Sequence, residues 1–262
     1  MAKQKKSKSP VPKLTYNEPA IVGGKSVKST PFEIVGTAPL IMNKFSEKSI
    51  HQMLRKHMNL PQAREAKVPR ELIEAAIHRN TAGAIAIPST AIKKSILAAA
   101  SATKTFAKNK VALKCGVFIR GASIPITFKS MTPRMDIVRN SGVSRVPDVR
   151  FRPQFNDWSA RFVITYDEEV TSLSTIIDLI VRAGYVGLCE WRPEKSGDYG
   201  TFEINSSKVF SPKETQEILN ICKPALQTIA IPDWALEANL TIKDIEGIVR
   251  GTAGDDLEEE VA

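Results

Sequence analysis

Apolar residues recur at every second position from Trp158 to Tyr166, and no other pattern in the chain constrains its fold as strongly. The members of this series are Trp158, Ala160, Phe162, Ile164 and Tyr166, separated by Ser159, Arg161, Val163 and Thr165. Successive side chains of a β-strand point to opposite faces, so a period of two is typical of a strand with one face in a core. The pattern predicts a strand within a sheet, with other elements covering that face.

Several other segments have the period or the caps of helices. The clearest is predicted to begin at Thr171 and to end at Gly184, because glycine tolerates the left-handed backbone that terminates helices. Its inward face is formed by Leu173, Ile176, Ile177, Ile180 and Val181. Capping serines and helix-opening prolines predict further helices from Ser46 to His57, from Pro69 to Arg79, from Ser89 past Ala100, and from Ser211 to about Cys222.

Three further apolar runs have the character of strands. They are Phe32 to Gly36, Val111 to Arg120 and Ile124 to Lys129, and a glycine-containing turn predicts that the last two form a hairpin. The order strand, helices, hairpin, strand, helix, hairpin predicts an α+β fold. We expect a modified RNA-recognition or ferredoxin-like domain with helical and loop insertions.

The composition favours a polyanionic partner and excludes a membrane protein. The 262 residues carry a formal charge of +9, and the 42% that are hydrophobic suffice for the core of one or two domains. No apolar run reaches spanning length and the basic N-terminus lacks the apolar part of a secretory signal, so we expect a cytoplasmic protein without a membrane partner. Cys115, Cys189 and Cys222 lack the spacing of metal ligands, and we expect reduced thiols and neither metal nor cofactor.

The uneven distribution of charge predicts the domain organisation. Residues 1–30 contain seven lysines against one acid, Glu18, and are expected to form a disordered basic arm. The folded domain then spans 31–210 with a projecting loop at 130–152, and 211–252 form a C-terminal helical extension with a weaker element over 236–249. Residues 253–262 are an acidic tail, which would compete with nucleic acid for a basic groove, bind a partner protein or only keep the chain soluble.

The segment VGLCEWRPEKSGDYGTFEI, residues 186–204, has the composition of a binding site. Its glycines, 187, 197 and 200, allow close approach of the backbone to a ligand, and they surround Trp191, Arg192, Lys195 and Tyr199. Cations and aromatic rings suit a polyanion with flat bases, whereas the segment has no nucleophile and no acid–base pair. The alternative is an ordinary hairpin, a strand–turn–strand whose Trp191 and Tyr199 pack on a neighbouring sheet.

A second basic block covers residues 110–152, and its later half is punctuated by Pro133, Gly142 and Pro147. That half has no clear period, which predicts a long projecting loop or a distorted hairpin. Its arginines are spaced so that each could contact a separate phosphate; they are Arg134, Arg139, Arg145, Arg150 and Arg152. The alternative is a solvated loop with incidental charge.

Three segments in order resemble the RAMP superfamily (repeat-associated mysterious proteins), which includes the backbone subunit of CRISPR effector complexes. They are an early strand leading into FEIVGTAPLIMNKF at 32–45, the helix-opening motif IPSTAIKKSIL at 87–97, and the glycine-rich loop at 187–200. The resemblance covers roughly residues 32–204. It does not cover the tails or the stretch after Ser211.

This resemblance implies a fold that binds single-stranded RNA through the nucleic-acid backbone and assembles head to tail into a filament. Lys93 and Lys94 would follow the family's lysine at the start of a helix against the nucleic acid, and the loop from Arg134 to Arg152 would resemble the inserted thumb. The late loop departs from the family pattern, because CEWRPEKSGDY replaces part of its glycines. The two oppositely charged tails suggest a stand-alone, phage-encoded relative, with RNA and single-stranded DNA both open as ligands.

The sequence therefore predicts a non-catalytic, largely sequence-independent protein that binds single-stranded nucleic acid as a homo-oligomer. One rival is a metal-independent endoribonuclease of the same superfamily with a histidine base. His51, His57 and His78 are the candidates, but none neighbours the glycine-rich loop in sequence, and each is interpreted as a surface or core residue. The other rival is a phage structural or scaffold protein. The absence of a GxxxxGK[ST] motif argues against an NTPase.

Overall fold

The computed structural model describes residues 26–60, 66–139 and 147–222. These residues form two antiparallel sheets and six α-helices, which confirms the predicted α+β class. Most of the basic arm, Arg145, the element over 236–249 and the acidic tail lie outside the described residues. None of the described helices has the length and apolar character needed to cross a membrane.

The larger sheet is built around the alternating segment. Its strands are β1 (Val27–Gly36), β3 (Ala86–Pro88), β4 (Val117–Ile119), β5 (Ser123–Thr127), β8 (Ser159–Asp167) and β9 (Phe202–Ile204). The order is β3-β5-β8-β1-β9, and β4 also pairs with β8. Opposite each other on one face, Phe32 of β1 and Phe162 of β8 stack with ring centroids 6.1 Å apart. The strand prediction over 158–166 is therefore confirmed.

The helices supply the rest of the core. They are α1 (Glu47–His57), α2 (Pro69–Ala75), α3 (Ser89–Ala102), α4 (Lys110–Gly116), α5 (Leu173–Val186) and α6 (Pro212–Ile221). Buried Ile92 and Ile96 of α3 join Ile176 and Ile180 of α5 in one cluster with the aromatic face of the sheet. Because α3 and α5 pack against each other, their outward faces lie side by side at the surface.

The smaller sheet consists of β2 (Leu40–Ile41), β7 (Pro147–Asn156) and β6 (Ser130–Arg139), in that order. β6 and β7 form a regular hairpin, with pairs running from Ser130 opposite Asn156 to Arg139 opposite Pro147. Of the two forms predicted for residues 130–152, the structure has the hairpin rather than an unstructured loop. One face of this hairpin is apolar and open, with Met135 62% and Ile137 73% exposed.

Several boundaries differ from the predictions for local reasons. Residues 110–116 form α4 instead of a strand, since Ala, Leu and Lys are good helix formers; β4 and β5 each pair with β8 and make no hairpin. α5 continues past Gly184 to Val186, and Gly187 (φ 79°) is its C-cap. Gly184 serves packing instead: α5 meets β9 there, and a Cβ would collide with the Phe202 carbonyl. β1 takes in residues 27–30, which were assigned to the basic arm.

The prediction of a modified RNA-recognition or ferredoxin-like domain stays a prediction. A ferredoxin-like domain repeats a β–α–β unit in which the helix returns the chain to an antiparallel sheet. The path from β1 through α3 to β4, and the path from β8 through α5 to β9, both agree with that description.

Candidate nucleic-acid interface

Residues 187–200, here called the Gly-rich loop, are an irregular loop and not a strand–turn–strand. The loop is preceded by helix α5 and followed by strand β9, and a short 3₁₀ turn spans Pro193–Lys195. Cys189, Trp191 and Ser196 have φ of 61°, 54° and 61°, in the left-handed region that non-glycine residues avoid. Such residues store of order 1–3 kcal/mol each and persist only where the surroundings hold them. The loop is therefore fixed by its contacts.

The polar face of the β6–β7 hairpin supplies those contacts through Asp136. This carboxylate is 7% exposed and accepts hydrogen bonds from Arg134 Nε at 2.7 Å, from Arg152 Nη1 at 3.2 Å and from Trp191 Nε1 at 3.2 Å. Arg134 also donates from Nη1 to the Tyr199 hydroxyl at 2.6 Å, with its guanidinium 4.6 Å from the centre of that ring. We call these five residues the Asp136 network.

The Asp136 network accounts for four residues that the sequence assigned to nucleic-acid contacts. Arg152 is 6% exposed and paired inside the protein, so it presents no surface to a phosphate. Arg134 is engaged on both sides, and Trp191 and Tyr199 pack on the neighbouring sheet, as in the alternative interpretation of this segment. In this structure the four hold the Gly-rich loop on the hairpin.

On its other side, the Gly-rich loop borders a cleft of about 1060 Å³, here called the basic cleft. Helices α3, α4 and α5 and the Pro193–Lys195 turn form its walls. Its cationic lining residues are Lys94, Lys110, Lys114, Arg182 and Arg192. Among the described residues that line it, Glu194 is the one acid, and it pairs with Arg192 at 2.7 Å. This excess of cations gives the lining a positive charge, which attracts anions.

Part of the lining of the basic cleft is apolar. Four half-buried lining residues, here called the apolar floor, are Leu97 and Ala98 of α3, Val186 and Pro193. Tyr185, 78% exposed, stands at the cleft. The lining therefore combines cations with apolar and aromatic surface.

Of the sequence-predicted residues that the structure describes, only Lys94 and Arg192 line this cleft. Lys93 turns away, donating from Nζ to the Lys114 carbonyl at 2.9 Å and lying over the Phe118 ring. Lys195 is exposed on the 3₁₀ turn.

The remaining predicted arginines belong to the hairpin. Arg139 and Arg150 are exposed at the end farthest from β2, and Arg150 pairs with Asp148 at 2.9 Å. Arg145 lies outside the described residues. Neither Arg139 nor Arg150 lines the basic cleft.

Sequence reasoning missed Arg182 and Tyr185. Both project from the outward face of α5, three residues apart, and helical periodicity identifies that face. It does not show that α3 runs alongside. Lys110 and Lys114 were counted in the second basic block but were not assigned to a site.

The histidines lie away from the basic cleft. His51 and His57 are on α1, and His78 follows α2. Burial, together with the charge of Lys44, lowers the pKa of His78, which favours its neutral form. No group of three or more His, Cys, Asp or Glu side chains is placed to hold a metal among the described residues.

The cysteines differ in their surroundings. Burial raises the pKa of Cys189 to about 12 and that of Cys222 to about 11. Cys115 is exposed on α4. Thiols with pKa values this high stay protonated at neutral pH and are poor nucleophiles, so the cysteine of the Gly-rich loop has a packing role.

Comparison with known proteins found similar solved structures but no relative in sequence. No family model matches the chain, and no curated protein matches it in sequence. A Type III-B Cmr-beta structure bound to cognate target RNA matches at 12% identity and TM-score 0.46, over 69% of this chain and 59% of that one, less than two thirds of its length.

Two other solved structures are also similar. Cmr6 from Pyrococcus furiosus matches at 11% identity and TM-score 0.37, over 68% of this chain and 98% of that one. A CRISPR RNA-guided surveillance complex matches at 8% identity and TM-score 0.32, over 89% and 91%. All three are distant likenesses of fold, and they assign neither a family nor a function to this chain.

Proposed function

We propose that this chain is a non-catalytic protein that binds single-stranded nucleic acid, RNA or DNA, with little sequence preference. The basic cleft carries this proposal, because among its described lining residues five cations against one acid surround an apolar floor. Phosphate contacts position a strand without reading its sequence. The floor offers apolar surface instead of hydrogen-bonding groups directed at base edges.

The geometry favours a single strand over a duplex. In a duplex the bases are paired and stacked inside, so an apolar floor would have nothing to contact. A single strand presents phosphates and the faces of its bases together. Basic grooves with stacking surfaces are the usual solution for binding without sequence preference.

Two features support the non-catalytic part of the proposal. No histidine is among the described residues that line the basic cleft, and the pKa of His78 is lowered in a half-buried position elsewhere. The carboxylate at the cleft, Glu194, is engaged by Arg192. Neither group has the placement of a general base beside a bound strand.

The wider proposal is that copies assemble head to tail along a strand in the cytoplasm, as in a stand-alone, phage-encoded relative of the RAMP proteins. The open apolar face of the hairpin, with Met135 and Ile137 largely exposed, supports self-association. The acidic tail would then be available to a partner protein or to a basic groove. Sedimentation with and without oligonucleotide tests the assembly.

The binding proposal is tested by neutralising cations of the basic cleft. We expect Lys94→Gln, Lys114→Gln and Arg182→Gln to weaken binding of a labelled single-stranded oligonucleotide, with the slope of log affinity against log salt falling by about 0.7 for each phosphate that no longer meets a cation. Fluorescence anisotropy over a salt series measures both. Lys213→Gln on α6, exposed and away from the cleft, is the matched control. Unchanged affinity in the triple variant would refute the proposed site.

A further inference from the structure

Tyr185 is a large aromatic residue on the outward face of α5, where it lies at the basic cleft. Its side chain is 78% exposed, although buried Ala183 and Gly184 precede it in the same helix. Within the described residues, its hydroxyl has no hydrogen-bond partner and its ring no aromatic one. A large aromatic ring that is exposed at a cleft has a face available to a ligand.

The surroundings of this ring define what the ligand must be. Arg182 lies one turn earlier on α5, so its cation and the Tyr185 ring share one side of the helix. On α3, which packs against α5, Leu97 and Ala98 add apolar lining to the same cleft, and Lys94 lies three and four residues before them. A flat apolar group next to an anion meets both requirements.

We propose that Tyr185 forms a base-stacking subsite of the basic cleft, which takes one unpaired nucleobase of a strand whose phosphates meet Lys94 and Arg182. This inference rests on the proposed nucleic-acid binding and adds the residue that recognises unpaired bases. It moves the stacking role from Trp191 and Tyr199, whose polar groups are engaged in the Asp136 network. Selection of single strands over duplexes follows, because a paired base does not offer its face.

The subsite separates the binding of bases from the binding of charge. A base-free polyanion, such as inorganic polyphosphate, contacts the cations but has no base that could stack on the Tyr185 ring. An oligonucleotide uses both. Replacement of Tyr185 therefore affects the two ligands differently, whereas replacement of a cation affects them together.

The test compares Tyr185→Ala, Tyr185→Trp and Lys94→Gln with the unmodified protein, using oligodeoxyadenylate and inorganic polyphosphate as probes. We expect Tyr185→Ala to weaken oligodeoxyadenylate binding about 5- to 150-fold, the factor equivalent to ~1–3 kcal/mol for one stacked base. Tyr185→Trp should retain affinity, and polyphosphate binding should be unchanged in both. The fluorescence of an oligonucleotide that contains 2-aminopurine should be quenched by stacking when it binds. Among the three variants, only Tyr185→Ala should lose this quenching.

Three outcomes decide between the proposals. If Tyr185→Ala binds oligodeoxyadenylate normally while Lys94→Gln weakens it, the stacking subsite is wrong and nucleic-acid binding stands. If Tyr185→Ala weakens both probes equally, the ring has no base-specific role and the subsite is again wrong. If the unmodified protein binds neither probe, the proposed function itself fails. Circular dichroism confirms that each variant folds, as expected for so exposed a side chain.

Discussion

Replacing Asp136 with alanine should destabilise the protein strongly, because it leaves the buried cation of Arg152 without a counter-charge. Arg152 is 6% exposed, and its Nε already lacks a hydrogen-bond partner among the described residues. Loss of Asp136 would remove the ion pair that Arg152 makes with it, together with bonds to Arg134 and Trp191. Breaking a buried pair from one side costs about 3–5 kcal/mol. That is a large part of the ~5–15 kcal/mol by which a domain is stable.

Urea unfolding monitored by circular dichroism measures this difference through the midpoint and the slope. The matched control is Asp148→Ala on the same hairpin, since Asp148 is also an acid with two cationic partners, Lys67 and Arg150. Those partners have side chains 52% and 43% exposed, so the control should cost about 0–1 kcal/mol.

Two results would contradict this reasoning. A loss below about 1 kcal/mol for Asp136→Ala would show that Arg152 finds water or another partner and that its burial has little electrostatic cost. Equal losses for Asp136→Ala and Asp148→Ala would show that burial does not distinguish the two acids. Removing both charges together, with Asp136→Leu and Arg152→Met, should recover much of the lost stability, because apolar pairs replace buried ion pairs well.

Two further predictions concern titrating groups. At pH 8 a thiol reagent should modify the exposed Cys115 quickly, and Cys189 and Cys222 only after urea is added. The reason is that burial raises the pKa values of Cys189 and Cys222 to about 12 and 11. Rapid labelling of Cys189 in the folded protein would contradict the packing of the Gly-rich loop. The lowered pKa of His78 means that the unfolded chain binds a proton more readily, so stability should fall as the pH drops through about 6.5, and His78→Gln should flatten that part of the stability profile.

The elements predicted well are those whose signal is local. The alternation over 158–166 required only the geometry of a strand, and Ser46 and Ser211 accept hydrogen bonds from the first turns of α1 and α6 as capping residues do. These contacts lie within a few residues of one another. Their energetics therefore do not depend on how the rest of the chain folds.

Predictions failed where distant contacts decide the local structure. Gly184 is the type of residue that often ends a helix, yet here it allows β9 to approach α5 closely. The sequence of α5 alone cannot show this contact, because β9 lies further along the chain. β4 and β5 look like two arms of a hairpin, but both find a better partner in β8. In each case a glycine was identified correctly and its contact lies elsewhere in the chain: Gly184 meets Phe202 of β9, and Gly121, between β4 and β5, meets Cys222.

The candidate site shows the same limit for charge. Arg152 and Lys94 look alike in sequence, since each lies in a basic segment beside apolar residues. One is buried against Asp136 and the other is exposed on the cleft. Composition counts cations but does not tell which of them an internal acid neutralises. That depends on the hairpin register, which sets Asp136 opposite Arg150 and diagonal to Arg152, and the ion pair forms with Arg152.

The Gly-rich loop contacts both the buried Asp136 network and the basic cleft. Trp191 and Arg192 are adjacent in sequence, but Trp191 bonds to Asp136 of the hairpin whereas Arg192 lines the basic cleft. The left-handed backbone at Trp191 allows neighbouring side chains to serve opposite sides of the loop. A strained conformation persists only while its contacts hold, so the position of Arg192 depends on the Asp136 network. Under the proposed function, the arginines of that network support the proposed binding surface without lining it, so about half of the cations and rings of this segment serve internal contacts.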